Sequence, residues 1–135
     1  MASLTQLYVH CVWATWDRLP LITPLIEPRL YAALATTCNQ LECTPLAIGG
    51  VADHVHLLAE FYSTITIAQL VGQMKGSSAH LVTHILEPGS FFKWQGSYGA
   101  FTLSKRSLPS VRAYILDQKV RHLNGNLLNE FEIPS

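Results

Sequence analysis

One stretch near the middle of the chain, residues 49–60, restricts what this sequence can fold into more than any other. It opens with two glycines and continues with β-favouring residues such as Val55 and Leu57. Successive side chains of a strand point to opposite faces, so His54 and His56 are predicted to project from the same face. Two imidazoles on one strand face can bind one metal ion; two strand histidines with ordinary hydrogen bonds are the alternative.

The predicted strands and helices alternate in an order that indicates an α+β fold. Strands are predicted at residues 6–15, 44–48, 51–60 and 91–103. Helices are predicted at residues 27–41, 66–86 and 109–122. Gly49 and Gly50 are predicted to turn the second strand directly into the third. This split β-α-β order, ferredoxin-like and RRM-like, predicts one domain over residues 1–135: an antiparallel four- or five-stranded sheet with helices on one face plus a C-terminal helix.

Composition limits the class of protein. With 49% apolar residues, the 135-residue chain can bury a core. No run approaches the roughly 18 apolar residues of a membrane span, and the N-terminus lacks the features of a signal peptide. A cytoplasmic protein without membrane association is therefore expected. The three cysteines lack Cys-x-x-Cys spacing and are expected to be reduced, mostly buried thiols.

Charge is balanced over the whole chain but unevenly distributed. Nine basic and nine acidic residues give a net charge of zero, which argues against a protein that binds nucleic acid through charge alone. Six of the basic residues lie after residue 92, namely Lys93, Lys105, Arg106, Arg112, Lys119 and Arg121. A local basic surface is therefore predicted in the last third of the chain.

Three further segments add weight to the histidine pair. They read Val-Trp-Ala-Thr at 12–15, Trp-Gln-Gly-Ser-Tyr-Gly-Ala-Phe-Thr-Leu-Ser at 94–104 and Val-Arg-Ala-Tyr-Ile-Leu-Asp-Gln-Lys at 111–119. Together with the histidine segment they closely resemble the TnpA transposases, the small single-strand "HUH" tyrosine enzymes of bacterial and archaeal insertion sequences. The resemblance runs over residues 7–122, with the motifs in the family's order.

The resemblance implies a specific chemistry for the last helix. Tyr114 and Gln118 are four residues apart and share a helix face, a pattern that by itself indicates a packed aromatic and an exposed amide. In TnpA proteins the equivalent helix carries the nucleophilic tyrosine, and a polar residue one turn later completes the metal site. The resemblance therefore implies that Tyr114 forms a 5′-phosphotyrosine intermediate and that His54, His56 and Gln118 bind Mg²⁺ or Mn²⁺. The sequence offers no evident base for Tyr114, and its last ten residues carry no predicted element.

The same resemblance implies the partners. The substrate is expected to be single-stranded DNA with hairpin ends, which the enzyme cleaves and rejoins during transposition. Lys75 lies in the segment Met-Lys-Gly-Ser-Ser at 74–78, which resembles the Lys-Gly-x-Ser-Ser pattern that the family places near DNA, and Lys105, Arg106 and Arg112 are candidate DNA contacts. A domain-swapped homodimer is expected, in which the polar connector 104–110 lets each last helix dock against the partner's histidine pair.

Two alternatives from other classes stay open. One is a domesticated or inactive relative that binds hairpin single-stranded DNA without cleaving it. The other is an RNA-binding module, which would need neither a tyrosine nucleophile nor paired histidines. A histidine-triad hydrolase is disfavoured because Leu58 stands at the third histidine position. His10, which shares a strand face with Tyr8 and Val12, is expected to be a packed or hydrogen-bonded histidine.

Overall fold

The computed structural model describes residues 3–125, 127–128 and 132. Its strands are β1 (Tyr8–Ala14), β2 (Thr44–Val51), β3 (His54–Glu60) and β4 (Gly99–Leu103). Its α-helices are α1 (Glu27–Gln40), α2 (Ile67–Leu81), α3 (Leu108–Leu116) and α4 (Gln118–Asn124). Short helical turns occupy Trp16–Arg18, Val82–Leu86 and Lys105–Ser107.

The four strands form one sheet in the order β2-β3-β1-β4, and every neighbouring pair is antiparallel. The first and third strands of the chain therefore lie in the centre, and the second and fourth lie at the edges. This arrangement confirms the predicted ferredoxin-like split β-α-β fold. Within the described residues the sheet has four strands, the lower of the two numbers predicted.

Strand alternation gives the sheet two different faces. One face contributes Val9, Cys11, Trp13, Val55, Leu57 and Ala59 to a core with α1 and α2. The other face carries His54, His56 and Leu58, and Leu58 packs with Val111 and Ile115 of α3. The prediction of helices on one sheet face plus a C-terminal helix is thus confirmed, because α1 and α2 cover one face and the last helices lie against the face that carries the histidines.

The predicted hairpin between β2 and β3 forms, but the predicted position of its turn is wrong. Gly49 and Gly50 lie inside β2, paired with His56 and Val55, and the turn follows Val51. A Cβ atom at Gly49 would lie 2.1 Å from the carbonyl oxygen of Ile115. Gly49 therefore permits close packing of α3 on the strand instead of a reversal of the chain.

The predicted second helix ends at Leu86 as expected, but its last five residues differ in type, and the fourth strand is shorter than predicted. Thr66 caps α2 through a capping box with Gln69. The α-helix continues as a π-helical turn at Val82–Leu86. Most of residues 91–98 is irregular. The segment bonds to the end of β1, where the Gln95 N–H donates to the Ala14 carbonyl at 2.8 Å, and to α2, where the Trp94 indole N–H donates to the Ser78 hydroxyl at 2.9 Å.

The predicted last helix is interrupted at Asp117, which has φ −100° and ψ 15° and separates α3 from α4. Tyr114 lies in the final turn of α3, and Gln118 begins α4. No helix in the described part of the chain is long and apolar enough to cross a membrane.

Candidate metal and tyrosine site

The histidine pair projects from one face of β3, as its spacing predicts. His54 and His56 are 3% and 0% exposed, so neither imidazole is hydrated by bulk water. Their Nε2 atoms face the same carboxylate: His54 Nε2 lies 3.3 Å from Oε1 of Glu132, and His56 Nε2 lies 3.3 Å from Oε2. Two buried imidazole nitrogens and one carboxylate therefore converge on one point.

Sequence reasoning missed Glu132 entirely. The residue lies in the tail beyond α4, which has no periodicity or motif that would assign it to a site. Its carboxylate is mostly buried, with 13% of the side chain exposed. A single acidic residue in a short polar tail is ordinarily read as a solvated surface charge, so only tertiary structure could identify it.

Each histidine is also held at its other ring nitrogen. His54 Nδ1 lies 2.8 Å from Oδ1 of Asp53, its neighbour in the hairpin turn. His56 Nδ1 lies 2.8 Å from Nε2 of His10, which projects from the same face of the adjacent β1. The expectation of a hydrogen-bonded His10 is confirmed, and its partner is a histidine of the candidate site.

Burial and the Glu132 carboxylate determine the direction in which the pKa values of the site shift. Burial lowers the pKa of His54, but Glu132 and Asp53 outweigh it, so the His54 pKa is raised overall. Burial dominates at His56 and lowers its pKa. Burial and the neighbouring His56 lower the pKa of His10 to about 3, which leaves His10 neutral at physiological pH. Burial raises the pKa of Glu132, but contacts with His54, His56 and a tyrosine reverse this and lower it well below its usual range.

Tyr114 supplies that tyrosine contact. Its side chain is 1% exposed, and its hydroxyl donates a short hydrogen bond to Oε2 of Glu132. The same hydroxyl accepts the backbone N–H of Leu128 at 3.1 Å, and its ring lies edge-on to His56 with 5.9 Å between centroids. Burial and the Glu132 carboxylate raise the pKa of Tyr114. The phenol is therefore protonated here and its proton already points at an acceptor.

Gln118 lies beside the tyrosine, as the four-residue spacing predicts, but it is buried at 1% exposure. Its Nε2 donates to the Tyr114 carbonyl at 3.2 Å. Its Oε1 accepts from Nε2 of His122 at 3.0 Å, and the His122 ring lies 4.7 Å from that of His54. His122 is a second residue of this site that sequence reasoning did not assign. The metal-binding role of Gln118 stays a prediction.

The four basic residues predicted to contact DNA do not lie together. Lys105 and Arg106 are exposed in the turn before α3, and Arg112 is exposed on α3, where its Nε donates to the Leu46 carbonyl at 3.3 Å. Lys75 lies on α2, across the sheet, where its ammonium donates to the carbonyls of Gln95 and Ser97. Lys75 thus has a structural role in holding the irregular segment, and all four DNA contacts stay predictions.

The geometry fits a divalent cation. The ligand atoms of His54, His56 and Glu132 all lie within 4.8 Å of one another. Two ligands that are each about 2.1 Å from one cation are separated by roughly 3.0–3.4 Å in octahedral or tetrahedral geometry, and the two histidine–carboxylate distances are 3.3 Å. The buried Nε2 atoms make no hydrogen bond within the described residues, so a cation would satisfy both.

The family model described as Transposase IS200 like matches residues 3–118. A protein of Deinococcus radiodurans R1, provisionally described as a transposase, aligns with a TM-score of 0.68 and 25% identity over 85% of this chain and 92% of that chain. A REP-associated tyrosine transposase bound to a REP hairpin aligns with a TM-score of 0.65 and 15% identity over 90% of this chain and 74% of that chain. A search of curated proteins finds no match.

Proposed function

Since this chain belongs to the IS200-like transposase family, we propose that it cleaves and rejoins single-stranded DNA through a covalent bond to Tyr114. The family match and the two aligned transposase folds confirm the resemblance seen in the sequence. One observation carries the proposed chemistry: the Tyr114 hydroxyl and both histidines contact the same carboxylate. A phosphate beside a cation bound there would lie within reach of the phenol.

The proposed cation is Mn²⁺ or Mg²⁺, held by His54 and His56. Two imidazoles with one oxygen ligand suit Mn²⁺ better than Mg²⁺, which prefers oxygen ligands and retained waters. Glu132 is the proposed third ligand because its Oε1 already lies 3.3 Å from His54 Nε2 and its Oε2 lies 3.3 Å from His56 Nε2. Gln118, the ligand that the family resemblance implies, is the alternative, and its Oε1 would have to leave His122.

The chain's own residues account for the bond changes. The oxygen of Tyr114 attacks the scissile phosphorus, a 5′-phosphotyrosyl bond forms, and the bond to the 3′-oxygen breaks, releasing a 3′-hydroxyl after that oxygen takes a proton from water. The phenolic proton leaves through Oε2 of Glu132, which already accepts it, and passes on to water, where it neutralises the hydroxide left when water protonates the 3′-oxygen. A bound divalent cation supplies positive charge that stabilises the phosphate in the transition state. Rejoining reverses these steps with a 3′-hydroxyl of another strand.

The proposed substrate is a single strand with hairpin ends. A REP-associated tyrosine transposase with this fold is bound to a REP hairpin, which supports the choice. Lys105 and Arg106 are exposed in the turn before α3, Arg112 is exposed on α3, the helix that carries Tyr114, and all three are the proposed phosphate contacts. Replacing all three by Ala should weaken hairpin binding and lower its dependence on salt concentration.

The proposed assembly is a homodimer with exchanged last helices. In the single chain, α3 docks against the chain's own His56, and an exchange would form the same contact between protomers. Mixing a His56→Ala chain with a Tyr114→Phe chain tests this. Exchanged helices would restore one complete site in each mixed dimer, whereas helices that stay on their own sheet would leave the mixture inactive.

A cleavage assay tests the proposed function itself. A labelled hairpin oligonucleotide with a single-stranded flank should be cut in Mn²⁺ or Mg²⁺ and remain intact with a chelator. His54→Ala and His56→Ala should lose cleavage and metal binding together. Full cleavage in chelator, or wild-type metal binding by both variants, would contradict the assignment.

Hairpin binding without cleavage is the second candidate function, and the position of Glu132 favours it. Its carboxylate lies between the tyrosine and the histidines, where its negative charge opposes an incoming phosphate. A protein of this kind would retard the hairpin oligonucleotide in a gel but give no covalent adduct in any divalent metal.

A further inference from the structure

We propose that His10 is a positioning residue that fixes the tautomer and the ring orientation of His56, so that His56 presents an unprotonated Nε2 to the cation. This inference rests on the proposed metal site.

The geometry between the two rings is that of a direct hydrogen bond. His10 Nε2 and His56 Nδ1 are 2.8 Å apart, and the residues are 1% and 0% exposed. The bond crosses from β1 to β3 on one sheet face, where His10 pairs with Leu58 and His56 pairs with Val12. On its other side His10 is flanked by Phe101 of β4, with 5.7 Å between ring centroids. Packing on both sides leaves the His10 ring little freedom to turn away.

The direction of this hydrogen bond decides what His56 can do. A neutral imidazole carries one proton, so its two nitrogens have opposite roles. If His56 Nδ1 donates to His10, then His56 Nε2, which faces Glu132, has a free lone pair for a cation. If His10 donates instead, neutral His56 carries its proton on Nε2 and cannot bind the cation there. Function requires the first arrangement, with the His10 proton on Nδ1.

His54 has the same kind of hydrogen bond at Nδ1, with a different partner. Asp53 accepts from His54 Nδ1 at 2.8 Å, and His54 Nε2 faces the same carboxylate as His56 Nε2. A carboxylate or other acceptor behind a ligating histidine commonly fixes its tautomer. His10 therefore does for His56 what Asp53 does for His54, and the two acceptors aim both lone pairs at one point.

Variants at position 10 separate positioning from packing. Gln places a carbonyl oxygen near the position of the histidine Nε2 and can accept from His56, whereas Leu fills similar space without accepting. Metal affinity is measured by calorimetric titration of the DNA-free protein with Mn²⁺. His10→Leu should raise the dissociation constant about 10- to 100-fold, and His10→Gln should stay within about threefold of wild type. Equal loss in both variants, or no loss in folded His10→Leu, would overturn the proposal.

A matched control and a second measurement complete the test. Val9 is fully buried on the opposite face of β1, so Val9→Ala should lower the melting temperature without changing the Mn²⁺ dissociation constant. A comparable loss of Mn²⁺ affinity in Val9→Ala would instead indicate general strand damage and refute the role of His10. Long-range ¹H–¹⁵N imidazole spectra of a metal-free Glu132→Ala variant, in which no carboxylate competes for a proton on His56 Nε2, should show the His56 proton on Nδ1. A proton on Nε2 of His56 would reject the proposal.

The two proposals fail in different ways. If wild type and His56→Ala bind Mn²⁺ equally, the proposed metal site is wrong. The imidazole spectra need no metal, so they would still decide whether His10 accepts from His56.

Discussion

Replacing Gly49 by Ala should separate the tyrosine helix from the histidine strand. The new Cβ atom would lie 2.1 Å from the Ile115 carbonyl oxygen and 3.0 Å from its carbonyl carbon. Ordinary van der Waals contact begins at 3.4 Å, so α3 must retreat by about 1.3 Å from β2. Ile115 adjoins Tyr114, so the proposed nucleophile retreats with the helix.

The expected loss follows from that displacement. A misplacement of about 1 Å between reacting groups can cost on the order of 100-fold in rate, and overpacking a tight contact costs about 1–3 kcal/mol of stability. Gly49→Ala should therefore form the covalent DNA adduct about 100-fold more slowly. Its Mn²⁺ affinity should change much less, because His54 and His56 stay on β3.

The assay measures adduct formation with a labelled hairpin oligonucleotide, alongside thermal unfolding and Mn²⁺ titration. Gly72→Ala is the control: no atom lies within 4 Å of a Cβ placed at this helical glycine, so Ala should leave the rate unchanged and stabilise the helix by up to about 1 kcal/mol. Wild-type adduct rates and stability in Gly49→Ala would show that α3 does not need a glycine at position 49 to pack on β2.

Two further predictions concern the site. Glu132→Gln should weaken Mn²⁺ binding about tenfold or more and Gln118→Ala should weaken it less; the reverse order in a calorimetric titration would assign the third ligand to Gln118. In metal-free protein, unfolded His10 gains a proton below about pH 6.5, whereas folded His10 resists protonation until about pH 3. The unfolded state binds more protons in that window, so this residue makes stability fall as the pH falls, by at most about 1.4 kcal/mol per pH unit. Denaturant unfolding of wild type and His10→Gln should show a shallower decline in the variant, and identical slopes would contradict the prediction.

Where the periodicity of a strand or helix determines which side chains lie together, their arrangement could be predicted from the sequence. His54 and His56 share a face because strands alternate, and Tyr114 and Gln118 adjoin because helices repeat every three to four residues. The same rules predicted the order of the elements and therefore the ferredoxin-like sheet. The roles proposed for these positions come from the family resemblance.

Contacts between residues that are far apart in the sequence could not be predicted. Gly49 was read as part of a turn because sequence does not reveal the approach of Ile115 from a helix far along the chain. Glu132 reaches the site from a tail without periodicity, and the bond between His10 and His56 depends on strand pairing across 46 residues. The break at Asp117 likewise has no proline or glycine to mark it.

The central claim is that Tyr114 forms the covalent bond to DNA. The most direct measurement is peptide mapping by mass spectrometry after reaction of the protein with a hairpin oligonucleotide in Mn²⁺. We expect a 5′-phosphodeoxynucleotide attached to Tyr114, absent in chelator and absent in Tyr114→Phe. Attachment to another residue, or cleaved DNA with no protein adduct, would contradict it.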